Sequence, residues 1–151
     1  MMNIGDIKKY INNKSRLIGI DMGSKRVGLS ISDENRKIAT PLKTINYENI
    51  QILIDELGKI INENNVHVVV FGNPKNMDGT EGSSSQSVKD KVKLISEKIQ
   101  IPIFLWDERL STVGAFNLSS ELDINVSKRV KNIDKNAAAV ILQGALDYLK
   151  N

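Results

Sequence analysis

Apolar residues along this chain recur in two rhythms, and the switches between them mark out the elements. Leu17-Ile18-Gly19-Ile20 is a short apolar run closed by Asp21 and Gly23, which predicts a buried strand running into a turn. Val27 to Asp33 alternates apolar with small polar side chains and predicts the second arm of a hairpin. A third strand is expected near Lys37 to Thr44, after the turn residues Asp33-Glu34-Asn35. Pro41 puts that strand at an edge or an end, because proline has no N–H for a ladder. Ile50, Leu53, Ile54, Leu57, Ile60 and Ile61 then fall at helical spacing, and Asn62-Glu63-Asn64-Asn65 ends the helix. Val66 to Phe71 is rich in β-branched residues, the pattern of a parallel strand covered on both faces.

The second half continues the alternation. Gly72 to Ser85 reads as a long polar loop rich in Gly and Ser, of the kind that carries function. Ser87 and Asp90 stand at capping-box spacing ahead of a helix with the stripe Val88, Val92, Ile95 and Ile99. Ile101 to Trp106 predicts another buried strand, ending in Asp107-Glu108-Arg109. Ser111 caps a further expected helix through about Leu122. Asp123 to Ile133 is polar and basic and is expected to be a mobile connection, so the last helix should begin near Asp134. Ala137, Ala138, Ile141, Leu142, Ala145, Leu146 and Leu149 give that helix an apolar face for the sheet. Residues 1–16 are expected to be an N-terminal extension, a short amphipathic helix able to dock on the domain formed by residues 17–151. A three-strand meander followed by helix–strand–helix–strand implies a mixed α/β sheet with helices on both faces.

Composition limits the chemistry. A chain of 151 residues suits one domain. With 40% hydrophobic and 26% charged residues, it is a globular mixture and not a disordered one. Cysteine is absent, which excludes a disulfide scaffold, a thiolate zinc site, an iron–sulfur cluster and a cysteine nucleophile. His67 is the single histidine, so a multi-histidine metal site is impossible. Any metal must take oxygen ligands, which points to Mg²⁺, Mn²⁺ or Ca²⁺. A net charge of +3 permits a nucleic-acid partner without requiring one. No apolar stretch is long enough for a signal h-region or a membrane span, so the expected compartment is the cytoplasm.

Three acidic positions stand out by placement. Asp21 ends the first strand, Glu108 (with Asp107 beside it) ends the last, and Asp134 opens the last helix. Active sites in open α/β sheets gather outside the carboxyl ends of the parallel strands. Three carboxylates there repel one another, and one or two divalent ions relieve that repulsion while activating a water and stabilising a leaving oxygen. Each position also has a structural reading: a turn cap for Asp21, an N-cap for Asp134, and a surface ion pair for Glu108 with Arg109. No P-loop, dinucleotide fingerprint or nucleophile elbow is present. His67 is expected to be a hydrogen-bonded structural histidine and Trp106 a core residue. Asp78 and Glu81 in the loop are candidate outer ligands or plain solvated carboxylates.

The motif Ile18-Gly19-Ile20-Asp21-Met22-Gly23-Ser24-Lys25-Arg26-Val27-Gly28 resembles the opening motif of the YqgF (RuvX) family of pre-16S ribosomal RNA nucleases. Gly72-Asn73-Pro74 with Asn76 to Gly82 resembles that family's loop after the fourth strand, and Trp106 to Thr112 its most specific motif. Ile133-Asp134 with Ala137-Ala138 and Ile141-Leu142 resembles its terminal helix. The resemblance implies an RNase H-like fold, with a five-stranded mixed sheet, related to Holliday junction resolvases. It implies Mg²⁺- or Mn²⁺-dependent phosphodiester hydrolysis in processing the 5′ end of the 16S precursor. By position, Asp21, Glu108 and Asp134 become the metal-binding catalytic carboxylates, with Asp107 the alternate to Glu108. Lys25, Arg26 and Arg109 become phosphate contacts, joined by the basic segment Lys128, Arg129 and Lys131. The sequence departs from the family at its longer first segment, at Asn73 and at Gly114. The expected partner is structured precursor RNA, or branched DNA if the protein is a junction resolvase, bound by a monomer or homodimer. A non-catalytic RNA-binding assembly factor is the alternative from another class, and an actin-like ATPase is disfavoured because the chain is too short for two nucleotide-clamping domains.

Overall fold

The computed structural model describes residues 4–23, 25–73, 82–107 and 126–150. A 3₁₀ helix, Ile4–Tyr10, precedes strands β1 (Arg16–Met22), β2 (Arg26–Ser32) and β3 (Ala39–Asn46). Helix α1 (Ile50–Glu63), strand β4 (Val66–Asn73), helix α2 (Ser83–Ser96), strand β5 (Ile103–Asp107) and helix α3 (Val126–Lys150) follow. The five strands lie in the order β3-β2-β1-β4-β5. β1 is antiparallel to β2 and β2 to β3, whereas β1, β4 and β5 are parallel. Pro41 does lie on an edge strand, opposite a register shift at Leu29/Ser30.

Side-chain alternation sorts the core into two layers. Ile18, Ile20, Val69, Phe71 and Ile103 face α1 and α2 on one side, packed against Leu53, Leu57, Val92 and Ile95. Leu17, Val68, Val70, Phe104 and Trp106 face the other way, against Ile141, Leu142, Ala145 and Leu146 of α3. Ile7 of the 3₁₀ helix is fully buried in this second layer. Each such buried aliphatic side chain contributes roughly 1.5–3 kcal/mol gross. α1 is bounded by asparagines: Asn49 Oδ1 accepts from Ile52 N–H at 3.1 Å, and Asn65 takes the left-handed conformation (φ 54) just past the end.

Several boundaries differ from the sequence reading: β3 runs two residues later than expected, β4 continues through Gly72 and Asn73, and three others shift as well. α2 starts at Ser83 with Gly82 as its N-cap, so Ser87 and Asp90 lie inside the helix and form no capping box. Gln86 N–H closes the first turn onto the Gly82 carbonyl at 3.1 Å, and no Gly or Pro interrupts Ser83–Gln86. β5 starts at Ile103, because Pro102 has no N–H to donate, although its carbonyl accepts from Val69 N–H at 3.0 Å. α3 starts at Val126, which makes the stretch to Ile133 helical and removes Asp134 from an N-cap position. Val126, Val130, Ile133 and Ala137 supply the helical spacing there. The expected helix from Ser111 to Leu122 and most of the Gly72–Ser85 loop lie outside the described residues.

The β2–β3 turn is closed by Asp33. Its Oδ1 accepts from Lys37 N–H at 2.7 Å and Ile38 N–H at 3.0 Å, and Arg36 adopts φ 57. The Ile38 N–H bond is the largest influence and holds the Asp33 carboxyl below its ordinary pKa; desolvation opposes it, and the Lys37 N–H bond adds to the lowering. A lowered folded pKa means stability that is fully present above the unfolded pKa and is lost as pH falls through the folded one. Asp33→Asn should therefore flatten the acid limb of a melting-temperature profile below about pH 4. An unchanged limb would show that the turn does not contribute.

Candidate active site

Asp21 is the penultimate residue of β1, at the carboxyl end of the parallel strands, and is partly buried. The register Ile20↔Phe71↔Leu105 sets it one step beyond, level with Gly72 and Trp106. By alternation it shares the α3 side of the sheet with Leu17 and Gly19.

Helix α3 comes to this end of β1 through one close crossing. A Cβ on Gly19 would lie 2.6 Å from Leu142 Cβ, 2.6 Å from Ser30 Oγ and 2.8 Å from the Ala138 carbonyl, so only glycine lets the helix approach. Ser30 O–H secures the crossing by donating to the Ala138 carbonyl at 2.7 Å. Farther along α3, Gln143 binds Ala39 N–H (2.8 Å) and the Lys37 carbonyl (3.0 Å) at the start of β3. Ala39 pairs with Ser32, whose Oγ accepts Leu17 N–H at the start of β1. α3 thus runs antiparallel to β1. Moving back from Ala138 to residue 134 covers about 6 Å of helix, and moving on from Gly19 to Asp21 covers about 6.6 Å of strand. The backbone at 134 therefore arrives at the level of Asp21.

The candidates are not all placed alike. Asp107 follows Ile103 and Leu105, so it belongs to the α1/α2 side of the sheet, opposite Asp21. It is the register partner of Asn73, which is buried at the end of β4. Glu108, Arg109, Asp78 and Glu81 lie outside the described residues, and for Asp134, Lys128, Arg129 and Lys131 only the helical backbone of α3 is described. Lys128, Arg129 and Lys131 thus belong to the first turns of α3 instead of a connection. Among the described residues no three carboxylate or imidazole groups gather as a metal cluster. Lys25 and Arg26 are exposed on the β1–β2 turn beside Asp21. His67 lies at the far end of the sheet, its Nδ1 bonded to Ser15 Oγ, and so stays structural. Trp106 packs in the α3 layer, edge-on to Tyr148 with centroids 5.8 Å apart.

Two residues that hold the turn after Asp21 escaped the sequence reading. Tyr47 O–H donates to the Gly23 carbonyl at 2.9 Å, and Lys91 Nζ stands 3.5 Å from the same oxygen. They are 24 and 68 residues from Gly23 along the chain, and no local pattern links them to the turn.

The family model for RuvX, described as a Holliday junction resolvase, matches residues 15–148. The chain belongs to the RuvX family. A Pelagibacter ubique relative named "Putative pre-16S rRNA nuclease" is 62% identical over 151 residues, covering all of both chains. A Desulforamulus reducens relative of the same name is 44% identical over 132 residues, 87% of this chain and 96% of its own. Thermus thermophilus RuvC, solved in complex with a Holliday junction substrate, superposes with a TM-score of 0.57. At 12% identity, over 91% of this chain and 96% of that one, the likeness is one of fold. The RNase H-like fold expected for a RuvX member is therefore the fold this chain has. No described helix of the chain is long and apolar enough to cross a membrane.

Proposed function

We propose that this RuvX-family chain is a divalent-metal-dependent endonuclease that cleaves phosphodiester bonds in the 5′ region of the 16S rRNA precursor, in the cytoplasm. The reading rests on a full-length relative of 62% identity bearing that nuclease name. The convergence of Asp21 with the approach of α3 at the carboxyl end of β1 supports it. Asp21, Glu108 and Asp134 form the proposed ligand set, with Glu108 preferred because Asp107 belongs to the other side of the sheet. The donor set is all oxygen, since the chain has no cysteine and its single histidine is engaged by Ser15. That chemistry fits Mg²⁺ or Mn²⁺. A divalent ion held there supplies Lewis-acid activation of water and charge neutralisation at the leaving oxygen.

The chain's own residues then bind and orient the substrate. Lys25, Arg26 and Arg109 contact phosphates next to the carboxylates, and Lys128, Arg129 and Lys131 extend the contact along α3. Such contacts set register on the backbone, and the shape of the structured RNA sets specificity. A monomer suffices for one cut.

The description of the family model favours a second reading, cleavage of a four-way DNA junction. Paired junction cuts need a homodimer, so sedimentation of a monomer alone would count against it. For the metal site itself, calorimetry should show Mn²⁺ binding to the wild type and at least about tenfold weaker binding to Asp21→Asn. Equal affinity in the two proteins would remove Asp21 from the ligand set.

A further inference from the structure

The turn from β1 to β2 is braced from outside by two residues that are not in the proposed ligand set. Gly23 N–H donates to the Arg26 carbonyl at 2.9 Å, which closes the turn. Tyr47, just past β3, spans it: the phenol donates to the Gly23 carbonyl at 2.9 Å and the backbone N–H to the Lys25 carbonyl at 3.1 Å. Lys91 of α2 brings its ammonium to 3.5 Å from the Gly23 carbonyl and 5.9 Å from the centroid of the Tyr47 ring. Three elements therefore meet at one carbonyl, two residues beyond Asp21.

The partners of Lys91 are neutral. Neither of the ion pairs Lys9–Asp6 and Lys43–Glu56 involves Lys91, and no described carboxylate side chain lies within pairing distance of it. An ammonium has three donors. One meets the carbonyl, the ring face steadies the charge, and the rest of the group keeps donors for an anion. Lys25 and Arg26 are exposed on the same turn, so three cations gather around the turn that follows Asp21, with Lys91 and Tyr47 on its α1/α2 side.

We propose that Lys91, together with Lys25 and Arg26, binds a phosphate of the polynucleotide backbone flanking the cleaved bond, and that Tyr47 positions both the turn and the ammonium for it. The inference rests on the reading of Asp21 as part of a nuclease site. Tyr47 acts through Lys91 and the turn and is a positioning residue.

The test is fluorescence anisotropy with a fluorescein-labelled RNA carrying the 5′ junction of the 16S precursor. It is run in Ca²⁺ over a range of KCl, with melting temperature measured for every variant. Lys91→Ala should bind about tenfold more weakly at low salt. Its slope of log K against log salt should shrink by about 0.7–0.9, the loss of one phosphate contact. Lys91→Arg should keep the wild-type slope. Tyr47→Phe should keep the slope and lose about threefold in affinity, whereas Tyr47→Leu, which also removes the ring, should lose slope as Lys91→Ala does. A wild-type slope and affinity in Lys91→Ala overturns the phosphate contact, and a wild-type slope in Tyr47→Leu overturns the positioning role. If the wild type binds and cuts this RNA while Lys91→Ala is unchanged, the new contact alone fails. If the wild type binds no RNA, the reading as a nuclease of precursor RNA falls with it.

Discussion

Asp21→Asn should fold like the wild type and lose cleavage by about a thousandfold or more, as removal of a central catalytic group does. The substitution keeps shape and deletes one negative charge. Asp21 sits at the end of β1, outside the two apolar layers, so neither layer is disturbed. Where carboxylates crowd, losing one relieves repulsion, and this offsets part of any lost hydrogen bonding. The melting temperature should thus stay within about 4 °C, which corresponds to roughly 1 kcal/mol for a domain of this size. A cooperative melt beside an inactive enzyme is the expected pair of results. An active Asp21→Asn protein would mean that the chemistry lies elsewhere.

Gly19→Val should have the largest effect on the fold. At 2.6–2.8 Å, each neighbour of the added Cβ is closer than real Cβ atoms come, and one of them is the Ala138 backbone carbonyl, which cannot rotate away. Valine adds two further methyls at the same point. α3 must then lift from β1 and β2, exposing part of the layer formed by Ala138, Ile141, Leu142 and Ala145. Overpacking costs typically 1–3 kcal/mol, and a displaced helix puts this variant at about 3 kcal/mol or more. The melting temperature should fall by about 6–12 °C. Cleavage should drop by about a hundredfold even where the protein is still folded, because the helix carrying residue 134 moves from its place level with Asp21. Gly58→Ala is the matched control. A Cβ at Gly58 meets nothing within 4 Å inside α1, so that variant should gain roughly 0.5–1 kcal/mol. A wild-type melt for Gly19→Val would refute the close crossing.

The sheet was legible from its strand patterns: Leu17 to Ile20 and Val66 to Phe71 read as apolar runs of covered strands, Val27 to Asp33 as an alternating hairpin arm, and Pro41 as the mark of an edge. That β1 and β4 lie side by side is set by the folded sheet. The start of α3 was not legible, since Lys128, Arg129 and Lys131 drew attention from the Val126–Val130–Ile133 spacing beneath them. The start of α2 was hidden in a serine run that any loop would tolerate. Asp21 was readable as a strand-end carboxylate. Choosing between Asp107 and Glu108 required knowing where β5 ends, because one residue of register exchanges the two faces. The brace of Tyr47 and Lys91 had no local signature at all. It exists only once β3 and α2 are folded against the turn.

The most direct test of the central claim is a cleavage assay with purified protein and Mn²⁺, on a 16S precursor 5′ leader and a four-way DNA junction side by side, with Asp21→Asn as control. The predicted result is cleavage of the leader alone, abolished in Asp21→Asn. Cleavage of the junction alone would transfer the site to DNA. Cleavage of neither would contradict the nuclease account and leave a protein that holds RNA without cutting it.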